Sequence, residues 1–203
     1  MSSIRNFFAI IGLLTVAAIA FAYVQYEDEI RASYAEYQAF KQLDPHAGEI
    51  YMAMWDRLKE SGNTADATIW RVPVEAGLSV QDVEESMKMI ANSRNIMFVG
   101  EQPLSQQVEL MTGEKQRFLK IFQFCNPLTA VMMVDYSDAF SAYLPCRIAL
   151  VEDKAGNYNL YALDMDMMIH GGRPLPPELY EETQQVKEVI LAIMHGGARG
   201  DFE

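Results

Sequence analysis

The stretch CRIALVEDKAGNYNLYALD, Cys146 to Asp164, decides how the chain folds. Its two halves, CRIALVED and NYNLYALD, are rich in β-branched, aromatic and aliphatic residues, and KAGN between them is a turn sequence with glycine where the backbone must reverse. The pattern predicts a hairpin. Upstream, RFLKIFQF (Arg117–Phe124) alternates as a third strand. NIMFVG and ATIWRVPV (Ala67–Val74) read as two more, with Pro73 suited to a sheet edge or strand end because it lacks a backbone donor. Helical patterns lie between and after these strands. One runs from His46 to about Glu60 with Ile50, Met54, Trp55 and Leu58 on one face, and SGN (Ser61–Asn63) ends it. A second is capped by Ser79 and turns Val80, Val83, Met87 and Ile90 inward. PLSQQVELMTG is short. PPELYEETQQVKEVILAIMHGG is long, opened by prolines and closed by glycines. The expected fold class is α/β, an α+β sandwich with a mixed, mostly antiparallel sheet and helices packed on it.

Ahead of this body stands FFAIIGLLTVAAIAFAYV, Phe7 to Val24, eighteen residues without a charge. That is long enough to cross a hydrocarbon core, with Tyr23 and Tyr26 at the interface. Arg5 precedes it and Glu27–Glu29 follow. The positive-inside rule therefore places the N-terminus in the cytoplasm and the body outside, a single-pass protein of the cell inner membrane facing the periplasm. Ala20-Phe21-Ala22 is an acceptable signal-peptidase site, so a cleaved signal peptide is the rival reading; the apolar run passes through that site, which favours a retained anchor. Either way the body is exported.

Beyond the span, Tyr23, Tyr26, Ile30, Tyr34, Tyr37 and Phe40 recur at three- and four-residue steps and fall on one helical face, ended by Leu43-Asp-Pro-His46. Glu27, Arg31 and Gln38 are polar. Such a stripe either packs on its own domain or docks on a partner, and Tyr26, Ile30, Tyr34, Tyr37 and Phe40 are the candidate partner contacts. The expected organisation is an anchor over residues 1–26, a helical stalk and linker helix over 27–63, and an exported domain over 64–203.

The 203 residues carry a formal net charge of −12 and a pI near 4.7, with no Lys/Arg stripe, which argues against nucleic acid as a partner. The two cysteines, Cys125 and Cys146, stand at expected strand ends with twenty residues between them. No C-x-x-C pair and no C-x-x-C-H accompany them. An even count in an exported chain favours a structural disulfide, worth roughly 3 kcal/mol in the chain-entropy model; a thiol–disulfide redox role or a metal site are the alternatives. Met165, Met167, Met168 and His170 offer soft and borderline donors that suit copper(I), to which Val131-Met-Met133 adds sulfur if it folds nearby. Methionines more commonly fill cores. His195, near a helix C-terminus, suits the dipole there. No G-x-S-x-G, P-loop or dinucleotide fingerprint is present, and Glu84/Glu85 and Glu181/Glu182 read as solvated helix faces.

Two places carry a resemblance. FCNP (Phe124–Pro127) and YLPCRIALVED (Tyr143–Asp153), with VEAGLSVQDVEESMKMI ahead of them, resemble the domain of unknown function family numbered 302 over roughly Thr68 to Asp164. The resemblance implies a compact α/β domain and brings no catalytic residue with it. The function expected from the sequence is a non-catalytic, membrane-anchored extracytoplasmic accessory or binding subunit, without a resident cofactor, joined to a membrane-protein partner or to its own copies and to the bilayer. A copper- or haem-binding module is the alternative, and a thiol–disulfide redox protein a further one.

Overall fold

A computed structural model describes residues 2–201, which form two compact units divided between Asp44 and Pro45. The first holds helices α1 (Ser2–Gln25) and α2 (Glu27–Phe40). Over Ile4–Gln25 the mean hydropathy of α1 is 2.5 and none of it is buried, so this helix is long and apolar enough to cross a membrane. Tyr26 leaves helical geometry (φ −117°, ψ 21°), yet its N–H still donates to Ala22 O at 2.9 Å and its carbonyl accepts from Ile30 N at 2.9 Å. The helical hydrogen bonding therefore passes through the junction. α2 ends at Phe40, before the proline expected to stop it.

The second unit is the body. Its sheet has five strands in the order β1-β5-β4-β3-β2, all neighbours antiparallel: β1 (Ile69–Pro73), β2 (Met97–Gln102), β3 (Leu119–Cys125), β4 (Cys146–Glu152) and β5 (Tyr158–Leu163). Pro73 lies on an edge strand, as its missing donor requires. The central hairpin forms as expected, with Asp153 as its hinge: its carboxylate accepts from Ala155 N at 2.8 Å and Asn157 N at 2.9 Å, and Gly156 adopts φ 87°. These backbone bonds hold the Asp153 carboxyl below its ordinary pKa, the Asn157 N–H contributing most.

One sheet face is covered by α5 (Val80–Ser93) and α9 (Pro177–Arg199), and Phe122, Phe124, Ile148, Leu150, Leu160, Met87, Ile193 and Met194 form the core between them. Ser79 and Asp82 close a capping box on α5. The glycines at the end of the long helix do something other than stop it. α9 continues through Gly196 and Gly197 to Arg199 and is closed by Gly200 at φ 68°. A Cβ on Gly197 would lie 2.4 Å from Met87 Cγ, and one on Gly196 2.2 Å from Ile90 Cδ1, so these glycines let α9 approach α5.

One other expectation changes. The linker helix, α3 (Ala47–Ser61), belongs to the body rather than the stalk: Tyr51 Oη donates to Gly171 O at 2.6 Å, and Arg57 binds Ala67 O and Asp164. A single turn, α4 (Thr64–Ala67), follows it, and α6 (Leu104–Thr112) sits beside β3. The segment between the cysteines is helical: α7 (Pro127–Tyr136), then a 3-10 turn over Asp138–Tyr143. Asn126 starts α7 by accepting from Leu128 N at 3.1 Å, with Pro127 at the first helical position. Met165–His170 is a short helix, α8.

Candidate functional site

The sheet is incomplete at one end. The β3–β4 ladder runs on to Phe124↔Cys146 and the β1–β5 ladder to Ile69↔Leu163, but the β4–β5 ladder stops at Ile148↔Ala162. Where β4 and β5 part, a cavity of about 230 Å3 opens, reached by Cys146, Arg147, Leu163, Tyr143, Met165 and Met168. Behind it lies a smaller void of about 20 Å3. Cys125, Cys146, Met133, Met165 and Met168 all line this void. They come from four pieces of the fold: the end of β3, the start of β4, the buried side of α7, and two positions three residues apart on α8, which share a helical face.

The elements around the void are held by polar contacts. Asp164 caps α8 by accepting from Asp166 N at 3.0 Å, and its other oxygen takes Arg57 at 2.8 Å, with the aspartate side chain only 5% exposed. That buried, paired carboxylate fixes the start of α8 against α3. Lys187 on α9 binds Asp166. Thr129 on α7 donates to Glu182 of α9 at 2.9 Å, and Thr183 donates to the carbonyls of Leu179 and Tyr180, each at 2.9 Å. The hydroxyls of Thr129 and Thr183 are thus already committed as donors, while Tyr143 also lines the void.

Cys125 and Cys146 are free thiols in the structure, not the expected disulfide. Cys146 is registered opposite Phe124 across β3–β4 and Cys125 is the next residue along β3, so the two are not a directly opposed pair, though both line the void. Burial pushes the Cys146 thiol up to about 11, and the neighbouring Cys125 adds to the rise against an opposing pull from Arg147. Burial also raises Cys125. Both thiols are neutral at physiological pH and poor nucleophiles as they stand.

The candidate metal set divides. Met165 and Met168 reach the void, while Met167 and His170 do not line it. His170 is buried elsewhere: its ring stands edge-on to His46 (centroids 5.2 Å) and to Tyr180 (5.7 Å), and its Nε2 lies 3.1 Å from Gln184 Nε2. His195 is exposed on α9. Met133 joins the sulfur cluster, whereas Val131 points to solvent. In the first unit, the candidate contacts Tyr26, Ile30, Tyr34, Tyr37 and Phe40 are between 47% and 64% exposed.

None of the curated proteins matches this chain. Among solved structures, it is similar to the crystal structure of an uncharacterized conserved protein DUF302 from Bacillus stearothermophilus, with a TM-score of 0.52 at 14% sequence identity, covering 65% of this chain and 98% of that one. At that identity the likeness is one of fold. The model of a family described as a domain of unknown function, DUF302, matches residues 70–195. The match starts inside β1 and runs past Asp164 almost to the end of α9, so the helix that covers the sheet is part of the shared domain. The chain belongs to the DUF302 family.

Proposed function

We propose that this protein is a non-catalytic binding subunit, anchored in the cell inner membrane by α1, with its body on the periplasmic side and its α2 face docked on a helix of a membrane-protein partner. The observation that carries this reading is the stripe on α2. Five large side chains follow directly on an apolar span, and no residue of α2 is buried. Covering even part of them at about 25 cal/mol per Å2 stabilises a contact by several kcal/mol. A partner is favoured over a second copy by charge. α2 carries Glu27, Asp28, Glu29 and Glu36 against Arg31, four acidic groups less one basic, or −3. Two such helices side by side in one membrane repel each other.

A binding rather than a catalytic role is supported by the body's site. The titratable groups lining the small void are the neutral thiols of Cys125 and Cys146 and the Tyr143 phenol, with no histidine or carboxylate among the lining residues to serve as a base. Sidedness is tested with sealed membranes. Protease added to the extracytoplasmic face is expected to degrade the body and leave a fragment containing α1. A body protected until the membrane is dissolved would place it in the cytoplasm and overturn the topology. Intact mass of membrane-extracted protein tests the anchor: a chain starting at Tyr23 would show that α1 is a removed signal peptide.

A further inference from the structure

We propose that the sulfur-lined void at the end of the sheet is a binding site for one soft monovalent cation, copper(I) being the physiological candidate, with Cys125, Cys146, Met133, Met165 and Met168 as the donor set. The inference stands apart from the docking of α2, since it concerns the body alone.

The size and chemistry of the void select the occupant. At about 20 Å3 it takes one water-sized particle and no organic ligand. A water there needs two to four polar partners. Of the polar side chains lining the void, Thr129 and Thr183 already donate to Glu182 and to helix carbonyls and the Asn126 carbonyl caps α7, which leaves the Asn126 amide N–H and the Tyr143 hydroxyl. An anion finds no cationic side chain among the residues lining this void. What the void does offer is sulfur, two thiols and three thioethers, which are the ligands that favour copper(I) over harder ions. The chain has thirteen methionines and two cysteines, and both cysteines meet at this one place.

The donors are also mounted as a metal site requires. They come from the ends of β3 and β4 and from α7 and α8, elements tied down by the Asp164–Arg57 pair and the Thr129–Glu182 bond. The larger cavity, which shares Cys146, Met165 and Met168 with the void, is an entry path. The net charge of −12 favours the approach of cations. Binding moves no electrons: sulfur lone pairs coordinate the ion, and thiol protons pass to solvent as the thiolates form.

The test uses the full chain in mild detergent, reduced and freed of reductant without oxygen, and titrated with copper(I) against the chelator bicinchoninate. One equivalent per chain is expected to be retained, and an excess of zinc(II) is expected not to displace it. Cys125→Ser and Cys146→Ser should each abolish retention. Because any thiol pair can hold copper loosely, the deciding variants are Met133→Leu and Met168→Leu, which keep both thiols and nearly the same volume. Each is expected to weaken binding by about tenfold or more, with the melting temperature unchanged. Affinity unaltered by both methionine variants means adventitious thiolate binding only and overturns the proposal. So do more than one equivalent per chain, displacement by zinc, or no retention by the reduced protein.

Discussion

Helices α2 and α9 both carry apolar side chains at helical spacing, and they differ in what covers them. On α9, Ile190, Ile193 and Met194 are buried among the sheet and α5. On α2 no residue is buried, though its stripe of Tyr26, Ile30, Tyr34, Tyr37 and Phe40 is richer in aromatic rings. Periodicity marks a face that needs cover, but it does not say which chain supplies the cover. In α9 the cover is intramolecular, so the stripe belongs to folding. In α2 the proposed cover is the partner, which would make the stripe part of assembly.

Substitutions should separate the two cases by their effect on the body's stability, measured by thermal or denaturant unfolding. The largest loss is expected for Ile193→Ala, which empties a fully buried position in α9 and should cost about 2–5 kcal/mol. Gly197→Ala comes next. The new methyl group meets Met87 Cγ at 2.4 Å, and the strain outweighs the gain in helix propensity, for a net loss of about 1–2 kcal/mol. Ser79→Ala removes the cap of α5, the helix that α9 packs on, and should cost about 1 kcal/mol. At the other end of the scale, Tyr34→Ser with Tyr37→Ser should leave the body's unfolding within about 0.5 kcal/mol of the parent. A small effect of Ile193→Ala, or a large one of the tyrosine pair, breaks the contrast between the helices.

What could be read from the sequence follows the same division. The β4–β5 hairpin, the Ser79 cap and the Pro73 edge are local signals, and they sit where the residues say. The ending of α9 is not local. Three glycines lie within five residues, and only the approach of Met87 and Ile90 from α5 decides that Gly196 and Gly197 stay helical while Gly200 turns the chain. The Asn126-Pro127 start of α7 was present as a capping signal, but the helix was obscured by the irregular-looking run that follows it. The sulfur cluster could not be found by spacing, because its five members come from β3, α7, β4 and α8 and meet only when the sheet end closes. His170 shows the converse: only two residues on from Met168 in the sequence, it turns instead to His46 and Tyr180.

The most direct test of the docked-subunit account is the particle mass of the full chain extracted from its native membrane in mild detergent, compared between the parent and the Tyr34→Ser/Tyr37→Ser variant. The parent is expected to run as a complex whose protein mass exceeds 23.0 kDa and is not a multiple of it. The variant is expected as a single chain with the same body melting temperature. A parent that is already a single chain, a complex that is a whole-number multiple of the chain's mass, or a variant that keeps its partner would contradict the account.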